Sequence, residues 1–180
     1  PMSVTAGDFN NDGFIDMFVS NSGSNSGLLP HILVNNGDET FTDQGAELGL
    51  EAPDLTWGGV WIDFDNDSFQ DLFFCTSAPT PNHFFRNVLG MFFTDAADEI
   101  SAPSRQSYTC AKGDFNNDGY EDIIVNNLAQ EKPIFLENEG GENFFIKIKP
   151  TGTISNRQAT GTWLRLYSGS EQFSKYTLCG

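Results

Sequence analysis

DFNNDGFID, Asp8–Asp16, decides the reading of this 180-residue chain because it returns twice, as DFDNDSFQD at Asp63–Asp71 and as DFNNDGYED at Asp114–Asp122. Each copy sets an oxygen-bearing side chain at its first, third, fifth and ninth positions. The spacing suits a hard divalent cation. Calcium takes about 6–8 oxygen ligands, and a short loop with alternate side chains turned inward supplies most of that shell. A single Asp/Asn/Gly-rich stretch between strands is ordinarily just a turn. Three copies with matching spacing argue against coincidence and mark a chain built from repeats.

The loops are not helical calcium hands. Those need a bidentate Glu at the twelfth position, and here that position is Val19, Phe74 or Val125. The last acidic residue comes earlier, at Asp16, Asp71 or Asp122, and apolar runs follow it: MFV from Met17, LFFC from Leu72 and IIV from Ile123. Strand-like stretches also precede each loop, in SVTA from Ser3, GGVWI from Gly58 and SYTCA from Ser107. Short runs rich in β-branched and aromatic residues read as buried strands, so each loop joins two strands. The expected ligands are Asp8, Asn10, Asp12, Asp16 and the Phe14 carbonyl in the first loop. In the second they are Asp63, Asp65, Asp67, Asp71 and the Phe69 carbonyl, and in the third Asp114, Asn116, Asp118, Asp122 and the Tyr120 carbonyl. About three Ca²⁺ sites are therefore expected. Gly13 and Gly119 stand where the chain turns sharply, at no steric cost for φ > 0. Ser68 takes that place in the second loop and strains it, while Asp65 adds a carboxylate the other loops lack; the two effects oppose each other.

The rest of each unit repeats as well. HILVNNGDETFTD from His31 aligns with HFFRNVLGMFFTD from His83, and PIFLENEGGENFF from Pro133 follows the same plan. Asn35, Asn87 and Asn138 correspond, and each precedes a short turn and then Phe41, Phe93 or Phe144, a hairpin signature. Asp8 to Asp63 is 55 positions and Asp63 to Asp114 is 51. Four strands at a period near 50 is the arithmetic of a β-propeller blade. The expected fold is all-β: about three four-stranded blades, units of about 1–53, 54–104 and 105–145, then a C-terminal β segment over 146–180.

On these motifs, residues 3–145 resemble the FG-GAP/VCBS repeats of integrin-like β-propellers, whose blades carry calcium in the loop between strands. The tail NFFIKIKPTGTISNRQATGTWLRLYSG, from Asn143, resembles the start of an ASPIC/UnbV domain, which follows such repeats in bacterial secreted proteins. The resembling core is SNRQATG, Ser155–Gly161, with a strand expected on each side. The resemblance implies a secreted or extracellular (periplasmic or cell-surface) propeller used for binding or display, and no defined chemical activity. Propellers of this kind close with about seven blades. Three units are therefore expected to belong to a larger propeller, to a fragment, or to an assembly with partner chains. Terminal blades would expose apolar surface at Phe73, Phe74 and Phe84 or their counterparts.

Composition narrows the alternatives. The 17 Phe sit at strand-like positions and argue against disorder despite a net charge of −16. The three loops hold ten Asp, and three Ca²⁺ would offset six of those charges. Such acidity argues against nucleic acid and anionic membranes as partners, since both need basic patches. No apolar run approaches the ~18 residues of a membrane span. Of the three Cys, Cys75 and Cys110 read as core thiols in preference to a bridge, and Cys179 is free to pair outside the segment. The two His, His31 and His83, occupy equivalent repeat positions, which favours a structural role over catalysis. There is no nucleophile elbow and no phosphate loop, and the one glycosylation sequon, Asn66-Asp67-Ser68, lies inside a calcium loop. The leading expectation is a calcium-stabilised, non-enzymatic module that binds a protein or glycan. Behind it come a structural subunit joining copies of itself or other chains through blade edges, and part of a polysaccharide-active enzyme.

Overall fold

Strand and loop alternate as the acidic motifs dictate: the ninth residue of every motif is the first residue of a strand. The computed structural model describes residues 2–21, 29–52, 55–77, 79–100, 106–128, 131–154, 156–169 and 171–177. The first sheet is an antiparallel meander of β1 (Val4–Gly7), β2 (Asp16–Val19), β3 (His31–Asn35) and β4 (Phe41–Asp43). The second repeats it with β5 (Thr56–Ile62), β6 (Asp71–Thr76), β7 (His83–Val88) and β8 (Phe92–Asp95), and a single 3-10 turn follows at Ala97–Glu99. The third contains β9 (Ser107–Gly113), β10 (Asp122–Asn127) and β11 (Ile134–Leu136). A separate hairpin, β12 (Trp163–Ser168) with β13 (Glu171–Tyr176), forms the tail. The fold is all-β, and no α-helix occurs among the described residues.

The first strands of successive units stand beside one another, β1 against β5 and β5 against β9, as in neighbouring propeller blades. Two cores fill the spaces between units. Successive residues of a strand point to opposite faces, and β6 (DLFFCT) is buried throughout because both of its faces are covered. Leu72 and Phe74 join Phe9, Phe18, Ile32, Trp61, Phe85 and Phe93 between units one and two. Phe73 and Cys75 turn the other way, to Ile62, Phe84, Ile123 and Val125 between units two and three. The apolar run LFFC is continuous for this reason. Cys75 and Cys110 are free thiols. Cys110 packs on the second core, and its hydrogen bond to Cys75, together with burial, pushes its pKa up. Cys179 lies outside the described residues.

Phe73, Phe74 and Phe84 are fully buried, and the expected exposed apolar surface falls on third-unit counterparts, Ile124 for Phe73 and Phe135 for Phe84. Two other expectations need correction. The third unit has three strands rather than four, because residues 137–154 form no strand and Phe144 is 95% exposed. A strand follows the SNRQATG segment, but none precedes it; Ser155 itself lies outside the described residues.

Candidate functional site

The three loops share one backbone shape. The fourth residue is left-handed in each (Asn11 φ 58°, Asn66 φ 58°, Asn117 φ 63°), and so is the sixth (Gly13 φ 90°, Ser68 φ 77°, Gly119 φ 93°). Asn tolerates this region better than most residues and Gly enters it freely, whereas Ser68 is strained there. The winding turns backbone N–H groups toward the first Asp. Gly13 donates to Asp8 Oδ2 at 3.0 Å, Ser68 to Asp63 Oδ1 at 3.3 Å and Gly119 to Asp114 Oδ2 at 3.2 Å. The fifth Asp accepts the N–H of the seventh residue: Phe14 to Asp12 at 2.8 Å, Phe69 to Asp67 at 2.8 Å and Tyr120 to Asp118 at 2.9 Å. The seventh ring then rests on the hairpin turn of its own unit. At Gly37, with φ 76°, a Cβ would lie 2.8 Å from the Phe14 ring.

The ninth Asp joins the loop to the second hairpin. Its Oδ1 accepts the N–H of Asn35, Asn87 or Asn138, at 2.9, 2.8 and 2.8 Å for Asp16, Asp71 and Asp122. Its second oxygen accepts the N–H of the second loop residue in two loops, Phe64 to Asp71 at 3.1 Å and Phe115 to Asp122 at 2.9 Å. In the first loop Asp16 Oδ2 is buried with no partner, and Asp114 Oδ1 is likewise unpartnered. A buried carboxylate without compensation is costly. Desolvation pushes Asp16 and Asp71 up to about 7, and Asp8 and Asp63 up to about 6, even where, as at Asp71, both oxygens accept hydrogen bonds.

All the expected ligands fall on these loops, but the loops are not equivalent. Among the described residues, one group of three acidic side chains converges tightly enough for a metal ion: Asp63, Asp65 and Asp67, with ligand oxygens within 4.8 Å of one another. In the other loops the third residue is Asn, and its amide donates to the fifth Asp: Asn10 to Asp12 at 2.9 Å and Asn116 to Asp118 at 2.8 Å. The convergent trio could hold a divalent cation, and the orphaned oxygens of Asp16 and Asp114 fit the same chemistry. The donors are all oxygen, the chemistry of calcium or magnesium and not of softer metals.

Two sets of residues at the site were not read as part of it. Asn35, Asn87 and Asn138 appeared only as hairpin markers, yet two of them bridge units. Asn87 Nδ2 donates to the Phe9 carbonyl at 2.8 Å, and Asn138 Nδ2 to the Phe64 carbonyl at 2.7 Å. The fourth loop residue reaches the opposite way, Asn11 to the Ser68 carbonyl at 2.9 Å and Asn66 to the Gly119 carbonyl at 3.1 Å. Their recurrence at one repeat position was the available signal. The second set is basic. Arg86 reaches Asp65 at 2.8 Å and Asp71 at 3.1 Å, and Lys147 of the tail reaches Asp114 at 2.9 Å and holds its carboxyl below the ordinary range. His31 pairs with Asp43, and His83 lies against the rings of Phe74 and Phe85. No helix among the described residues is long and apolar enough to cross a membrane.

A family profile described as an FG-GAP-like repeat matches residues 8–74 and again 63–125, so each match starts on the first Asp of a loop. Cartilage acidic protein 1 of Xenopus tropicalis is 28% identical over 163 residues, covering 82% of this chain and 24% of the relative. The chain thus spans about a quarter of that curated protein's length.

Proposed function

From its place in the FG-GAP-like repeat family, to which this chain belongs, we propose that it is a secreted, calcium-binding β-propeller module that recognises a protein or glycan. The observation that carries the reading is the threefold loop, in which burial raises the pKa values of Asp8, Asp16, Asp63 and Asp71 and leaves one oxygen of Asp16 with no partner. Calcium would be held by Asp8, Asn10, Asp12, Asp16 and the Phe14 carbonyl; by Asp63, Asp65, Asp67, Asp71 and the Phe69 carbonyl; and by Asp114, Asn116, Asp118, Asp122 and the Tyr120 carbonyl. Bound there, the ion supplies the charge that the crowded carboxylates lack. It also ties two strands of a blade together, leaving the exposed surface free for recognition. The acidic composition and the acidic relative support an extracellular setting, where calcium at about 10⁻⁴–10⁻³ M fills sites of modest affinity. The tail is proposed as the opening part of an ASPIC/UnbV domain.

A second reading rests on one further observation. The outer face of the third unit exposes Phe115, Ile124 and Phe135, the positions whose counterparts are covered elsewhere in the repeat. This favours a module that packs against further blades or other chains along that edge.

Isothermal titration of the metal-free chain with calcium tests the proposal. Binding at a stoichiometry near three is expected, and the absence of binding at millimolar calcium overturns it.

A further inference from the structure

The three loops differ at two repeat positions, and the differences are matched. The third loop residue is Asn10, Asp65 or Asn116, so only the second loop carries a fourth carboxylate. The residue before the hairpin Asn is Val34, Arg86 or Glu137, so only the second unit places a base there. The extra acid and the extra base touch: Arg86 Nη2 lies 2.8 Å from Asp65 Oδ2. The same guanidinium reaches Asp71 Oδ2 at 3.1 Å and Glu99 at 3.3 Å, and it sits over the rings of Phe64 and Phe84. Arg86 is the only Lys or Arg in residues 1–104.

We propose that Arg86 is the resident cation of the second loop, pairing Asp65 and Asp71 in the metal-free protein and making this loop the last of the three to take up calcium. The inference rests on the reading of the loops as calcium sites. A guanidinium is always charged and holds its donors in a rigid fork, so it stays on two carboxylates at once. With it, four carboxylates carry the same net formal charge as the three of the first loop. Asp63, Asp65 and Asp67 converge in this loop, where the third residue is an acid and not Asn, and the guanidinium on Asp65 cancels part of their repulsion. Calcium entering this loop meets a positive charge paired directly with two of its carboxylates, whereas the guanidinium beside the first loop, that of Arg165, stands 4.0 Å from where a Cβ on Gly13 would be. Lys175 adds a second positive field at Asp63. In the third loop Lys147 lies on Asp114, but it is 60% exposed where Arg86 is 22% exposed, and Glu137 stands 3.4 Å from Asn116 with the opposite sign. An exposed lysine is displaced at little cost, whereas Arg86 is held by three carboxylates and two rings.

The backbone amides of Gly13, Ser68 and Gly119 report one loop each, because each donates to the first Asp of its own loop. Their shifts are followed by NMR as calcium is added to the metal-free chain. Gly13 and Gly119 should respond at lower calcium than Ser68. Arg86→Val should lower the Ser68 midpoint by about tenfold or more, the scale of removing a unit charge ~6 Å from a divalent ion even under strong screening. It should also lower the melting temperature in chelator, and calcium should restore it. Asp65→Asn combined with Arg86→Val recreates the first loop's pair. It should recover the melt in chelator and bring the Ser68 midpoint to that of Gly13, which keeps the test alive if Arg86→Val alone does not fold. A Ser68 midpoint at or below the two glycines in the unaltered chain, or unchanged in both variants, overturns the inference. Silence of all three amides removes the calcium reading and the inference with it. That outcome differs from failure of the inference alone, in which the glycine amides still respond.

Discussion

Asn87 donates across the boundary between the first two units to the carbonyl oxygen of Phe9, 2.8 Å away and 78 positions earlier in the chain. The same side chain also donates to the Gln70 carbonyl at 2.9 Å and accepts the Gly90 N–H at 2.8 Å. One buried amide therefore closes its own hairpin turn, ties that turn to the loop of its own unit, and fastens the loop to the preceding unit.

Asn87→Ala should cost about 2–4 kcal/mol, because truncation strands two carbonyls and an N–H away from water. Asn35 makes fewer bonds, to the Ile15 carbonyl and the Gly37 N–H, at a more exposed site. Asn35→Ala should cost about 1 kcal/mol. Urea unfolding of both variants measures the difference, and equal losses would mean that the inter-unit bond contributes nothing.

Calcium should raise the melting temperature relative to chelator, since it relieves carboxylates that burial has left poorly compensated. Asp118→Ala should lower the binding stoichiometry by one and remove part of that gain. An unchanged stoichiometry would show that Asp118 is not a ligand.

Without metal, stability should fall as pH rises from about 4 to about 7. Asp8 and Asp63 titrate near 6 and Asp16 and Asp71 near 7 in the folded chain, against an ordinary 3.8. In that window the folded state holds more protons than the unfolded one, so raising the pH favours unfolding. The contribution is intact below about pH 4 and spent once the pH passes 7. Calcium favours the ionised forms and should flatten or reverse the trend. Urea midpoints in chelator at pH 5 and pH 8 decide the matter: a midpoint at pH 8 equal to or above that at pH 5 would mean that these carboxylates are well satisfied without metal.

Ser68→Gly should stabilise the chain by about 1 kcal/mol. Ser68 holds φ 77° where the other loops use Gly, and a side chain in this region costs about 1–2 kcal/mol, less the entropy that glycine brings to the unfolded chain. A thermal melt that moves down, not up, would mean that the serine hydroxyl makes a compensating bond.

Counterparts in the repeat should respond differently to the same truncation. Phe73→Ala should cost about 3–5 kcal/mol, since Phe73 is fully buried between two units. Ile124→Ala, at the exposed counterpart, should cost under about 1 kcal/mol and reduce self-association seen by light scattering in calcium. Similar losses at the two sites would place Ile124 inside a core that a partner completes.

The loops and most strands were legible because one motif recurs three times and its ninth Asp starts a strand each time. LFFC reads as a buried strand, but that both of its faces are covered, one by each core, was not legible from the run itself. That the third unit lacks a fourth strand was not legible. ENEGGENFF carries the same hairpin pattern, but its Asn143 side chain donates to the Asp65 carbonyl, the Tyr120 hydroxyl donates to the Asn143 carbonyl, and Phe145 lies over Gly119. Contacts with the loop face replace the pairing of an outermost strand, a competition that local pattern does not encode. Arg86 was hidden for a different reason. A lone Arg on a strand reads as a surface residue until β7 is known to bring it beside the second loop.

The side-chain bonds between units run in fixed directions. The loop Asn points forward, from Asn11 to Ser68 and from Asn66 to Gly119, while the hairpin Asn points back, from Asn87 to Phe9 and from Asn138 to Phe64. The leading edge of a unit is therefore complementary to a trailing edge and not to another leading edge. A two-fold axis would bring like edges together and satisfy none of these donors. Growth through them is head to tail, a heterologous contact that closes into a ring when the rotation per unit allows and otherwise continues as an open filament.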